Sequence, residues 1–199
     1  MRKILFPLIV LALAFVARPV SAATILFDVC DVASLCGQMQ ATSTLNGSAI
    51  NVNVTGAPGY GIFGNSNGNH AFGINVNGSG VVVSNISSGF SLGSPNDNVN
   101  GYGFFDVIIN GPQQGSNATL PLSFTVTRSG GFSSDLQLFE TNAAGYLAAA
   151  HIRNNQTGLT GFVAADDVSG GTTNSPVPEP ASMLLLGTGL LAAWRARHS

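Results

Sequence analysis

The sequence predicts an all-β protein: an antiparallel β-sandwich, jelly-roll-like, set between an N-terminal signal peptide and a single C-terminal apolar helix. Three observations carry that reading. Apolar residues in the body recur at every second position, turn-forming clusters interrupt them at short intervals, and no body segment sustains a long helical period with caps. Apolar-in, polar-out alternation marks a strand with one face on a core and the other in water.

In "AINVNVT", Ile50, Val52 and Val54 are separated by Asn51 and Asn53, and Phe72, Ile74 and Val76 repeat the pattern in "AFGINVN". Leu120, Leu122, Phe124 and Val126 alternate with Pro121, Ser123 and Thr125, and Leu136 and Leu138 flank Gln137. The runs "VVVSNI" and "FFDVIIN" are more apolar, so both are expected as central strands. "GYLAAAHIR" comes nearest to a helix and is short for one. Between these runs stand "LNGS", "GAPGYG", "NGSG", "LGSPNDN", "NGPQQGSN" and "RSGG", with the Gly, Asn and Pro that tight turns require. The body is expected over residues 24–167, enough for one domain, with a linker at 168–176.

Both ends read as addresses. Arg2 and Lys3 precede an apolar run from Ile4 to Val16, and "ARPVSAA" then offers small residues for cleavage after Ala22 or Ala23. A charged start, a short apolar stretch and a small-residue site make a secretory signal peptide over residues 1–23. The competing reading is a membrane anchor, for which the run is short against the about 20 residues of a span. Between Thr24 and Ser175 the only cations are Arg128 and Arg153, against eight of the nine acidic residues. No basic surface is left for a phosphate backbone, so no nucleic-acid partner is expected.

From Ala181 to Trp194 the tail is apolar or small, and as a helix it would reach about 21 Å against about 30 Å of bilayer hydrocarbon. Pro176, Pro178 and Pro180 keep a helix from extending backwards. Trp194 suits the interface, and Arg195 and Arg197 form a basic stop that holds the far end in the cytoplasm. A marginal anchor behind an extended motif has the logic of a tail removed in processing; a plain C-terminal membrane helix is the competing reading.

"VPEP" at Val177–Pro180, followed by "LLLGTGLLAAW" and "RARHS", resembles the sorting signal of PEP-CTERM proteins, which places the tail at residues 177–199. Pro178, Glu179 and Pro180 match the motif residue for residue. The resemblance implies an exosortase-type processing enzyme as partner and a transient hold on the membrane through the C-terminal helix. It further implies an inner-membrane-held intermediate, then the cell surface or extracellular matrix of a Gram-negative bacterium that makes exopolysaccharide. The body resembles ectodomains found on such proteins, a likeness that brings no functional residues with it.

Motifs for chemistry are sparse. Cys30 and Cys36, an even pair in an exported chain, are expected to be bridged. Their spacing is not C-x-x-C and no His or Cys cluster stands near, so no metal is expected there. "GNSNG" puts Ser66 in a G-x-S-x-G pattern, and Asp97 or Asp106 with His151 would complete a Ser–Asp–His order. A nucleophile elbow needs a strand before the serine and a helix after it, which a Gly/Asn loop does not supply. "NDNVNG" echoes a calcium loop near Asp97 and Asp106, but the twelfth position is Val107 where a closing Glu belongs, and a plain turn is the simpler reading. His70, in a Gly/Asn stretch, is expected in solvent, and His151 as a hydrogen-bonded strand residue. Tyr60 and Tyr102 among surface asparagines offer a face on which sugars would stack.

The expectation is a non-catalytic surface or matrix protein, without cofactor, associated with exopolysaccharide or biofilm. A carbohydrate-binding module acting on matrix polysaccharide is the first alternative, and a secreted hydrolase using Ser66 the second.

Overall fold

The alternating runs around Val52, Phe72 and Phe124 form strands whose inward side chains meet in one core, whereas Leu136 to Leu138 form a 3-10 turn that buries Leu138 and leaves Leu136 exposed. A computed structural model describes residues 22–64, 69–112 and 118–168. Residues 1–21 of the expected signal peptide, Ser66, the expected C-terminal helix, Pro178, Glu179, Pro180, Arg195 and Arg197 lie outside the described residues, whereas Ala22 and Ala23, also assigned to the peptide, lie in the first strand. Among the described residues every regular element is a strand or one of two short 3-10 turns, Ala33–Leu35 and Asp135–Leu138.

One sheet contains β1 (Ala22–Leu26), β3 (Met39–Asn46), β4 (Ala49–Gly56), β12 (Leu122–Thr127) and β7 (Val82–Ser84), in that spatial order, with every pairing antiparallel. Asn46 pairs with Ala49 across Gly47 and Ser48. Gly47 sits at φ 64, which the missing Cβ permits, and so closes the hairpin in two residues. The second sheet orders β2 (Val29–Cys30), β14 (Thr160–Ala165), β13 (Ala148–Asn154), β6 (His70–Ile74), β11 (Val107–Asn110) and β8 (Ser91–Leu92). β5 (Tyr60–Ile62) also pairs with β13.

The sheets face each other as a sandwich. Ile25, Val52 and Phe124 of the first join Ile74, Ile109 and Val163 of the second in one buried cluster. Phe72 bridges the layers edge-on, its ring 5.9 Å from Phe124 and 6.2 Å from Phe27. The chain crosses between sheets repeatedly: β4 leads to β5 and β6, and β11 leads back to β12. Since β7 pairs with β12 and β8 with β11, two legs of chain run side by side across both layers.

The second sheet is buried on both faces, since β6 and the apolar parts of β13 and β14 carry no exposed side chain. Gly73, Ala149 and Ala164 leave a shallow trough on its outer side. A strap containing β9 (Asp97–Asn98) and β10 (Phe104–Phe105) fills it, laying Val99, Tyr102 and Phe105 against Ile108, Ala149 and Ala164. This two-sided burial makes "GYLAAAHIR" apolar without alternation, and a strand rather than a helix.

One expected central strand is an edge. From "VVVSNI", β7 pairs with β12 on one side only, and Val82 is 58% exposed. Val81, Val83 and Ile86 are partly buried against the core while Val82 faces out, so an apolar run here does not mean two-sided burial. Of "FFDVIIN", only Val107–Asn110 supplies an interior strand, β11 between β6 and β8, whereas Phe104–Phe105 belong to β10 in the strap and Phe104 is exposed.

Cys30 and Cys36 are bridged, with Cα atoms 5.5 Å apart, tying the end of β2 to the turn Ala33–Leu35. Reducing this small loop is expected to cost about 2 kcal/mol by loop-closure entropy, read as a lowered urea midpoint. Non-reducing mass spectrometry of the folded exported protein should find no alkylatable thiol; two free thiols would overturn the pairing.

Candidate functional site

Most of the titratable side chains singled out from the sequence gather on the outer side of the second sheet, at and beneath the strap. His151 faces outward from β13, opposite Phe162 of β14. Its ring lies 4.2 Å from that of Phe162 at an interplanar angle of 14°, and 4.1 Å from that of Phe63 at 32°. The imidazole is 6% exposed, and its Nδ1 has no hydrogen-bond partner among the described residues. Burial pushes its pKa below the usual imidazole value; the Phe63 backbone and the Asp31 charge pull the other way and only partly offset it. The neutral ring is therefore the form the fold accommodates.

That preference has a measurable consequence. A base whose pKa is depressed on folding adds stability that is fully present above its unfolded pKa of about 6.5 and is lost as pH falls through that value towards the folded one. The denaturation midpoint should thus decline from about pH 6.5 downwards. His151→Phe, which keeps an aromatic ring between Phe63 and Phe162, should flatten that decline. Equal slopes in the two proteins would remove His151 as its cause.

His70 is not in solvent. It opens β6 under the strap at 9% exposure, with Nδ1 3.2 Å from the Asn98 carbonyl and Nε2 3.4 Å from Asp97 Oδ2. The local Gly/Asn sequence concealed this, because the covering residues come from 27 and 28 positions further along. Tyr102 is also corrected: it is buried, donating its hydroxyl to the Phe162 carbonyl at 3.3 Å and standing edge-on to Tyr146 at 5.1 Å. Burial raises its pKa, with the Asp31 and Tyr146 charges adding to the shift. Tyr60 packs half-buried against the main core. Tyr102 presents no free ring face to a sugar.

Asp97 and Asp106 serve separate backbone partners. Asp97 Oδ1 accepts from the Asn98 amide at 2.7 Å, and Asp106 Oδ2 from the Val76 amide at 3.5 Å. No group of three or more His, Cys, Asp or Glu side chains that could hold a metal ion occurs among the described residues. The acid acting on His151 is Asp31, whose Oδ1 accepts from the Phe162 amide at 2.9 Å. Sequence reasoning passed over it because 131 positions separate Asp31 from Phe162.

An open cleft of about 240 Å³ lies at one end of the first sheet. Leu26, Gly37 to Gln40 and Thr55 to Ala57 line it, and none of these residues is charged.

No curated protein and no solved structure matches the chain. A family match falls on the segment where Pro-Glu-Pro, an apolar stretch and two arginines follow one another: at residues 176–197 this chain carries a PEP-CTERM protein-sorting motif.

Proposed function

We propose that this chain is an exported, non-catalytic protein of the cell surface or extracellular matrix, associated with exopolysaccharide in a Gram-negative bacterium. The sorting motif at residues 176–197 carries the reading, because it marks an exported protein processed at the membrane by an exosortase. The tail at 177–199 holds the intermediate in the inner membrane, and the body at 24–167, a jelly-roll-like sandwich, is what reaches the outside. Its chemistry supports a structural body. His70 and Asp97 fasten the strap, Tyr102 seals it, and His151 fills a slot between two aromatic rings.

Replacing Pro178, Glu179 and Pro180 together with alanine should leave an uncleaved, membrane-bound chain in the native host. The wild-type surface protein should lack Trp194, Arg195 and Arg197. C-terminal sequencing decides between processing and a plain anchor: intact Ser199 on surface-exposed wild-type protein would overturn the proposal.

A further inference from the structure

The outer face of the first sheet is a second surface, unlike the covered one opposite. Because side chains alternate along each strand, the register fixes which groups stand together on it. Thr24, Thr42, Asn53 and Ser123 form one row across four strands. Thr44, Asn51, Thr125 and Ser84 form the next. Neighbours across a row are about 4.8 Å apart, and rows about 6.8 Å. A third row, Leu26, Gln40 and Thr55, runs into the 240 Å³ cleft. Every outward position on these five strands is uncharged.

The side chains are partly tied in place. The Thr24 and Thr42 hydroxyls lie 3.2 Å apart, Thr125 Oγ1 donates to Asn51 Oδ1 at 3.0 Å, and Asn85 Nδ2 donates to Thr125 Oγ1 at 3.3 Å. Ordering them beforehand lowers the entropy lost when a ligand docks.

The chemistry of this face selects its partner. It has no cation for an anionic polymer or a phosphate headgroup. Arg153 belongs to the second sheet, and Arg128 lies over the Phe132 ring, 4.3 Å from its centre, while donating to the Gly131 carbonyl. It also lacks the aromatic anchors that dominate protein–protein hot spots. It offers hydroxyls and primary amides, each both donor and acceptor, with threonine methyls between them. A ligand that matches such a surface carries neutral hydroxyls and C–H faces of its own. The cleft, smaller than the about 300–1,000 Å³ of pockets for drug-sized ligands, suits a single ring rather than a whole oligomer.

We propose that the outer face of the first sheet, from the cleft at Gln40 across the Asn51 and Asn53 rows, is a docking surface for a neutral polysaccharide chain. Without aromatic stacking each sugar contributes little, so the polymer binds through many weak contacts and a monosaccharide does not compete. The inference rests on the delivery to surface or matrix proposed above and specifies which polymer chemistry the body meets there.

The test uses mature protein recovered from the surface of its host and four insoluble neutral polymers: cellulose, chitin, mannan and cross-linked dextran. Polygalacturonate is the anionic comparison. Retention is expected on a neutral polymer, unchanged at about 1 M NaCl, where ionic contacts are screened, and absent on polygalacturonate. The near-isosteric pair Gln40→Glu and Asn53→Asp alters exposed positions and places two charges on the face, which should cut retention about tenfold, whereas Thr160→Ala on the second sheet should not. Circular dichroism confirms that each variant folds. Retention on none of the neutral polymers, salt-sensitive retention, or equal retention of the charged variant overturns the proposal. So does sedimentation showing that the face is occupied by a second copy. Surface labelling of the same proteins separates the two readings: protein present at the surface but not retained sinks only this one, and protein absent from the surface sinks the delivery itself.

Discussion

Phe124→Ala is expected to lower stability by about 3–5 kcal/mol, a large part of the 5–15 kcal/mol that holds a typical domain together. Phe124 is 2% exposed, pairs across β4 with Val52, and meets Phe72 edge-to-face at 5.9 Å from the opposite sheet. Truncation removes the transfer energy of the ring and leaves a void that two hydrogen-bonded sheets cannot close without breaking their ladders. Urea denaturation should show a lower midpoint with the slope unchanged. A loss below about 1 kcal/mol would mean that the sheets close over the gap, contrary to the packing described.

Gly73→Val should act through the strap. A Cβ at residue 73 would stand 2.8 Å from Val99 Cγ2 and 2.9 Å from the Phe105 ring, closer than side-chain carbons approach. The backbone of β6 is held between β13 and β11, so the strap is what must move. Overpacking of this kind costs about 1–3 kcal/mol. Hydrogen exchange should accelerate over residues 97–105 while the β3–β4 ladder stays protected. Uniform loss of protection would show that strap and sandwich unfold as one unit.

Much of the sandwich was legible because its first sheet obeys a simple rule: "AINVNVT" and "LPLSFTVT" each bury every second residue, and both became strands of that sheet. The second sheet was harder to place. Covered on both sides, β13 and β14 lose their alternation, and Ala148 to Ala150 resemble a short helix as much as a strand. The strap was invisible for another reason: "NDNVNGYGFF" has turn chemistry, and only the Gly73 trough explains where its large residues go. Asn96 and Asn100 adopt the positive φ that turn chemistry favours, but that chemistry says nothing of what lies beneath. The ion-pair partner of His70, Asp97, and two neighbours of His151, Phe63 and Asp31, lie tens of residues away or more, beyond any local pattern.

The pairing of β2 with β14 sets an order of events for a chain that folds as it emerges from its N-terminal end. Val29 and Cys30 lie opposite Ala164 and Val163, so one of the first strands to emerge has no neighbour until nearly the last has followed. Sheets closed by such distant segments form slowly, because a long loop must be gathered before any contact rewards it. Hairpins such as β3–β4 can form early, yet the second sheet stays open until the chain has delivered Ala165, shortly before the motif begins at residue 176. On the delivery proposed above, a chain held by its tail at that moment would complete its fold while still tethered, and trimming afterwards would release a finished body. Protease sensitivity of membrane-held intermediates truncated before Thr160, against resistance of those extending past Ala165, would reveal this timing.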